Sequence, residues 1–169
     1  MLINHVIDMI DSTHLQPVII VLGANMSIIQ PAITNKNVLI VTNNEWQEGI
    51  ASSIRKGIFS LQENYPACDG TMILVCDQPH ITSSVLLELI KKQKLSGKPI
   101  AASNYDTVTG TPALFHLTIF PELLSLKGDK GAGSILKKRE NDVSIVPFPM
   151  GKFDIDTKED FEAFKKSMS

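Results

Sequence analysis

Three aspartates stand where chemistry is possible: Asp77, and the pair Asp154 and Asp156 near the C-terminus. Asp77 ends the apolar run Thr71-Met72-Ile73-Leu74-Val75-Cys76, which breaks at Gln78-Pro79. A run of that length and composition reads as a strand buried on both faces. A carboxylate at its carboxyl end lies where open α/β sheets receive their ligands, and it suits a magnesium ion carrying phosphates. The competing reading is an aspartate that starts a turn or caps a helix beginning near Thr82. Asp154 and Asp156 fall between a final strand and a final helix. In an extended link, residues two apart project to the same side, so either supplies a second carboxylate. Asp156 or Thr157 equally suits the cap of a helix from Lys158, with Glu159 and Asp160 favourable in its first turn.

The elements that must position these groups follow from periodicity. Leu2, Ile3, Val6, Ile7 and Ile10 share one helical face. Val18 to Leu22 and Val38 to Val41 read as strands, and Gly49 to Leu61 as a helix with Ile50, Ile54, Ile58 and Leu61 on one side. After the Thr71–Cys76 strand comes a helix over Ser83 to Leu95, then a strand over Pro99 to Ser103. Gly110-Thr111-Pro112 reads as a turn before a short strand, Ala113 to Phe115. Helices surround Leu123 and Ile135, Val143 to Phe148 is a strand, and Lys158 to Lys166 is a closing helix. Alternating strands and helices predict a three-layer α/β/α domain on a mostly parallel, doubly wound, Rossmann-like sheet. No linker or repeat interrupts residues 1–169, which are read as one domain.

Composition narrows the function classes. At 169 residues, 43% hydrophobic and 20% charged, the chain has the make-up of an ordinary globular domain. A net charge of −2 supplies no basic field for nucleic acid. No apolar run approaches the roughly 20 residues of a membrane span, and no basic, apolar and small-residue sequence of a secretory leader opens the chain. Cys68 and Cys76 match no metal spacing; Cys76, inside the expected strand, reads as a small hydrophobe. A cytoplasmic setting is expected.

Further motifs have the right character for a ligand. Ser52 and Ser53 fall in the first turns of a helix opened by the loop around Trp46, where backbone N–H groups and the helix dipole suit an anion. Trp46 and Ile50 equally serve as core anchors. Gly110 allows close backbone approach to a ligand. His80 reads as a surface residue and Arg55 as a solvated helix residue.

Five segments in order carry a resemblance: Trp46-Gln47-Glu48-Gly49-Ile50-Ala51-Ser52-Ser53, Asp77-Gln78-Pro79, Gly110-Thr111-Pro112-Ala113-Leu114-Phe115, Gly128-Asp129-Lys130-Gly131-Ala132, and Asp154-Ile155-Asp156-Thr157-Lys158-Glu159-Asp160. Together they resemble the molybdenum-cofactor nucleotidyltransferases, specifically the cytidylyltransferase branch, over residues 2 to about 164. Thr111 stands where the family commonly has histidine. The resemblance implies a fold of the nucleotide-diphospho-sugar-transferase type and transfer of CMP from CTP, or another NTP, to a molybdopterin-type cofactor with release of pyrophosphate. It implies Mg2+ held by Asp77 with Asp156, or with Asp154, the first two being catalytic. It places Trp46, Gly49, Ser52 and Ser53 beside the nucleotide, Gln78 and Pro79 at the metal turn, Gly110, Thr111 and Pro112 on the pterin side, and Asp129 and Gly131 in a loop facing the acceptor. A molybdenum hydroxylase or its maturation factor is an implied partner.

The family's opening strand and its loop, of the form Leu-Ala-Ala-Gly-x-Ser-x-Arg-x-Gly, have no counterpart in the sequence. That loop wraps a triphosphate with backbone N–H groups and offsets its charge with Arg and Lys. The catalytically complete form is therefore expected to carry roughly 30 to 40 further residues, an ordinary βα length. The rival expectations are a module that binds the pterin cofactor without transferring a nucleotide, and a guanylyl or sugar-nucleotide transferase on the same fold.

Overall fold

The computed structural model of the chain describes residues 1–155 and 157–167. Its elements run α1 (Leu2–Asp11), β1 (Val18–Leu22), a short α2 (Met26–Ile29), β2 (Val38–Thr42), α3 (Ile50–Asn64), β3 (Gly70–Ile73) and α4 (Ser83–Ser96). They continue with β4 (Ile100–Tyr105), β5 (Val108–His116), α5 (Phe120–Leu124), α6 (Ala132–Lys138), β6 (Val143–Pro147) and α7 (Lys158–Ser167). Strands alternate with helices through most of the chain, and the result is a mixed α/β domain in three layers. No helix among the described residues is long and apolar enough to cross a membrane.

The strands form two sheets. β1 and β2 pair in parallel, Val18 opposite Val38 through Leu22 opposite Thr42. The other four take the order β3-β5-β4-β6. β4 and β6 are parallel, while β5 runs antiparallel to both its neighbours. Among the described residues β1 and β3 each have one strand partner.

Helices hold the two sheets in register. α3 turns Ala51, Ile54, Ile58 and Leu61 towards Ile100, Ala102, Ala113 and Phe115 of the larger sheet, and Ile19 of β1 and Ile73 of β3 join the same cluster. Its Gly57 lets the helix lie on β1: an added Cβ would stand 3.3 Å from Val21. α5 and α6 complete this layer through Leu123, Ile135 and Leu136. The opposite face is covered by α4, whose fully buried Leu86 and Leu89 pack in two neighbouring clusters with Phe148 and with Ala101 and Val146. α1 spans both sheets there: Ile7 packs with Ile20 and Leu22, and Met9 and Ile10 with the cluster around Leu86. Alternate residues of β4 serve opposite faces, Ile100 and Ala102 one way and Ala101 the other, as the pleat requires.

Three expectations are corrected. The strand expected over Thr71–Cys76 ends at Ile73, and its residues are half-buried rather than buried on both faces. It is an edge strand with β5 on one side, so its second half leaves the ladder and Cys76 lies exposed in a turn. Gly110-Thr111-Pro112 lies inside β5 rather than in a turn before it. The register passes from Ala102 opposite Ala113 to Ser103 opposite Gly110, so Thr111 and Pro112 form a bulge. Ser103, fully buried, satisfies that bulge by donating its hydroxyl to the Pro112 carbonyl at 2.9 Å.

β5 lies between β3 and β4, and its Phe115 is fully buried against α3. Phe115→Ala is expected to lower unfolding free energy by about 3–5 kcal/mol, whereas Leu95→Ala, at a side chain 76% exposed on α4, changes it by about 0.5 kcal/mol or less. Urea denaturation of the two variants checks this contrast.

Candidate active site

The polypeptide leaves β3 at Leu74 and turns through Cys76 and Asp77. At that turn the Asp77 carbonyl accepts the Ile155 N–H at 2.8 Å. This bond sets the segment carrying Asp154 directly against the segment carrying Asp77. Gln78, next in the chain, is 4% exposed and donates Nε2 to the Gly151 carbonyl at 2.8 Å. Pro79 and Ile81 are buried behind it. Two hydrogen bonds thus join the end of β3 to the link that follows β6.

The turn holds two buried acceptors, Asp77 Oδ1 and Gln78 Oε1, that have no hydrogen-bond partner among the described residues. Leaving a buried polar atom unsatisfied costs about 1–3 kcal/mol, more for a charged group, and such atoms in a native fold call for an explanation. A hard divalent cation is one that suits the donors: Asp77 supplies an unpaired carboxylate oxygen, Asp154 lies alongside, and magnesium commonly takes one or two carboxylates and completes its shell with water and phosphate. Among the described residues no group of three His, Cys, Asp or Glu gathers as a metal cluster. Asp156, expected as a ligand, lies outside the described residues. Its rival role as helix cap is filled by its neighbour: Thr157 Oγ1 accepts the Asp160 N–H at 3.1 Å while Asp160 Oδ2 accepts the Thr157 N–H at 2.9 Å. That is a capping box with aspartate in place of the usual glutamate.

Tyr105, which sequence reasoning passed over, stands between these groups. Its hydroxyl occupies the space a Cβ on Gly110 would need, 2.0 Å away, and its Cδ1 lies 2.7 Å from the equivalent point on Gly151. Burial pushes the phenol pKa up; a hydrogen-bonding contact with Gln78 opposes that, and the carboxylates of Asp154 and Asp77 add to the rise. The phenol therefore faces Gln78 in the negative field of both aspartates. His80 has a structural role, its ring edge-on to Phe153 and Phe164 at 5.9 and 5.5 Å.

A second group lies at the carboxyl end of β2. Asn43, 3% exposed, donates Nδ2 to Ser52 Oγ at 2.8 Å and to Ser53 Oγ at 3.0 Å, and accepts the Glu45 N–H at 2.9 Å. Ser52 donates its own hydroxyl to the Gly49 carbonyl at 2.8 Å. Both serine oxygens therefore serve Asn43, a residue whose organising role only the folded contacts reveal. Trp46 is 44% exposed and rests its Cβ where a side chain on Gly23 would stand, 2.5 Å away. Beside it is an open depression of about 420 Å3, lined by Thr42, Asn43, Ser52, Arg55 and Lys56 among others. Asp129 reaches the same lip: its Oδ1 lies 2.3 Å from the place of a Cβ on Gly49. Gly131 caps α6. Thr111 is half-buried and Pro112 fully buried, on the Tyr105 side with Gly110. The predicted residues therefore fall into two groups, Asp77, Gln78, Pro79, Gly110, Thr111, Pro112 and Asp154 in one, and Trp46, Gly49, Ser52, Ser53, Asp129 and Gly131 in the other.

A carboxylate in the turn beyond a strand of an α/β fold lies where such folds receive ligands, and comparison with known proteins shows the family. The MobA-like NTP transferase domain matches residues 1–143, and the chain belongs to that family. The purine catabolism protein PucB of Bacillus subtilis is 29% identical over 126 residues, which are 73% of this chain and 59% of that protein; the match thus spans less than two thirds of PucB. Among solved structures, Rv0371C of Mycobacterium tuberculosis in complex with manganese superposes with a TM-score of 0.75 at 22% identity, covering 98% of this chain and 86% of that one. Molybdopterin-guanine dinucleotide biosynthesis protein A of Archaeoglobus fulgidus superposes with a TM-score of 0.67 at 16% identity, covering 99% and 85%. The fold is that of the nucleotide-diphospho-sugar transferases.

Two outcomes are expected. Gly110→Ala forces the Tyr105 ring aside and lowers stability by about 1–3 kcal/mol; in a Tyr105→Phe background the loss is smaller, as thermal denaturation of single and double variants will show. The second concerns Glu48, whose pKa is pushed down to about 2 from 4.5, first by its hydrogen bonds from Arg55 and then by that from the Gly128 N–H. A carboxyl with a depressed folded value contributes fully above its unfolded value and loses that contribution as pH falls through the folded one. Its contribution is therefore complete above about pH 4.5 and disappears near pH 2. An NMR titration of the Glu48 carboxyl should find its midpoint near 2, moving up towards 4.5 in Arg55→Gln.

Proposed function

We propose that this member of the MobA-like family transfers a nucleotidyl group, CMP from CTP, to the phosphate of a molybdopterin-type cofactor with release of pyrophosphate. The observation that carries the reading is the unsatisfied Asp77 carboxylate oxygen set against the Asp154 segment. The ordered motif set supports the choice of nucleotide and acceptor, and the name of the Archaeoglobus neighbour is in keeping with the acceptor. In the reaction an oxygen of the acceptor phosphate attacks the α-phosphorus of CTP, the bond from that phosphorus to the β-phosphate oxygen breaks, and pyrophosphate leaves. No protein nucleophile is required, so alignment and charge neutralisation carry the catalysis.

Asp77 and Asp154, with Asp156 by resemblance, are the residues that would hold Mg2+. The ion would neutralise phosphate charge and polarise the attacked phosphoryl group; the manganese-bound Mycobacterium neighbour supports a divalent cation. Gln78, pinned to Gly151, and buried Pro79 fix the turn so that Asp77 keeps its orientation. Trp46 offers a face for the base, and Gly49, Ser52 and Ser53 shape the wall beside it. Gly110, Thr111 and Pro112 line the pterin side, with the Tyr105 hydroxyl between them and the metal turn. Asp129 and Gly131 belong to a loop facing the acceptor. A molybdenum hydroxylase or its maturation factor would receive the product in the cytoplasm.

Pyrophosphate release from CTP in the presence of the cofactor and Mg2+ tests this. Asp77→Asn should lower kcat by about a hundredfold or more and abolish Mn2+ binding seen by electron paramagnetic resonance. Unchanged turnover in that variant would falsify the assignment. Equal turnover with GTP would replace the cytidylyl reading with a guanylyl one, and cofactor binding without CTP binding would leave only a carrier.

A further inference from the structure

The two loops at the Trp46 lip are joined by a network that the reaction does not consume. The Glu48 carboxylate takes both guanidinium nitrogens of Arg55, at 2.8 and 2.5 Å, a bidentate pair of the directional kind. The same Oε1 accepts the Gly128 N–H at 3.1 Å. Arg55 Nη1 also donates to the Leu126 carbonyl at 2.7 Å, and the Gly128 carbonyl accepts the Ala51 N–H at the start of α3 at 3.1 Å. Residues 48 to 55 are thereby tied to residues 126 to 128, more than 70 positions away in sequence.

Two glycines make the approach possible. Gly49, at φ 115°, has the Gly128 carbonyl carbon and oxygen 2.6 Å from the point where a Cβ would stand. Gly128, at φ 62°, turns the second loop. A side chain at either position would strain the backbone, and at Gly49 it would also drive the loops apart.

We infer that Glu48 and Arg55 are positioning residues that clamp the Trp46–Gly49 turn to the Leu126–Gly131 loop, so that Trp46 and Asp129 present one preformed wall to the nucleotide. The inference rests on the function proposed above for what the wall receives, though not for the clamp itself. Both charged side chains are then engaged within the protein rather than with the ligand. Arg55, which lines the depression, is committed to Glu48 and Leu126, with Glu45 a further ion-pair partner at 3.8 Å, and the Glu48 carboxylate is committed to Arg55 and Gly128. An isolated exposed ion pair contributes little. This one is bidentate and joined by two backbone hydrogen bonds, the geometry in which such a pair fixes structure. A wall ordered before binding spares a ligand the entropy of ordering it.

The test uses the full chain with Glu48→Gln and, since it retains the positive charge, Arg55→Lys. Amide hydrogen exchange at Gly128 and Ala51 should accelerate together, by about tenfold or more, with the amides of β4 unchanged. The single tryptophan, Trp46, reports CTP–Mg2+ binding by fluorescence. Both variants should weaken that affinity by about tenfold and raise KM more than they lower kcat, the pattern of lost ground-state binding. Unchanged exchange at Gly128 and Ala51 in both variants overturns the clamp. Faster exchange with unchanged nucleotide affinity, or a fall confined to kcat, overturns its positioning role. If the unsubstituted protein shows no fluorescence response and no turnover with any nucleoside triphosphate, the proposed function fails, and the exchange measurement alone decides the clamp.

Discussion

The hydrogen bond from the Ile155 N–H to the Asp77 carbonyl is the constraint on which the site depends. It brings together two acidic segments that the sequence separates by 77 positions and that mutual repulsion would hold apart. Their closeness must therefore be enforced by something other than the side chains. The backbone does so, aided by the Gln78 amide on the Gly151 carbonyl. The rise in the Tyr105 pKa, to which both aspartates contribute, registers the negative field that results. In the proposed function a divalent cation relieves that field, which makes Asp77 Oδ1, buried and without a partner, a prepared acceptor rather than a packing flaw.

Much of the scaffold was legible because its helices carry a single apolar face and its better strands are short apolar runs. The faces of α1 and α3 were readable from spacing, except that Ile50, expected on the inner face of α3, is 47% exposed; β1, β2 and β6 were readable from their apolar runs. The failures cluster at β5. Gly110 and Pro112 carry turn character, yet the true turn between β4 and β5 is the two-residue loop Asp106-Thr107, with Tyr105 opposite Val108 and Asp106 at φ 58°. An aspartate in that conformation is an accepted hairpin residue, but its signal was weaker than the Gly-Thr-Pro that follows. The shortness of β3 was hidden for a different reason. Apolar composition reports burial of side chains, and it says nothing of whether a strand has a partner on each edge.

The site was legible in part. The approach of the Asp154 segment to the Asp77 turn was anticipated because a carboxylate at a strand end has a chemical meaning that survives without coordinates. Tyr105 and Asn43 were missed because each acts through a partner that only the fold supplies, Gly110 and Gly151 for the ring, Ser52 and Ser53 for the amide. Arg55 read as a solvated helix residue because a helix position says where a side chain begins, whereas its partner at Leu126 lies 71 positions away.

The glycines of the site point to one shared arrangement. Read from sequence, Gly110 suggested room for a ligand. In the structure, Gly23 gives its room to Trp46, Gly49 to Asp129 and the Gly128 backbone, Gly110 to the Tyr105 hydroxyl, and Gly151 to Phe148 and Tyr105. The missing Cβ atoms are thus occupied by the protein's own groups, which are held in place by contacts within close-packing distance. A glycine used in this way acts on a ligand at one remove. Its replacement shifts the aromatic ring or carboxylate that fills its space, and the ligand loses a positioned partner rather than meeting a wall. The same reasoning explains why the two lips need different restraints. The Asp77 lip is held by the Ile155–Asp77 backbone bond and the Gln78 amide, whereas the Trp46 lip is held by the paired side chains of Glu48 and Arg55, each meeting a backbone group of the Leu126–Gly128 segment.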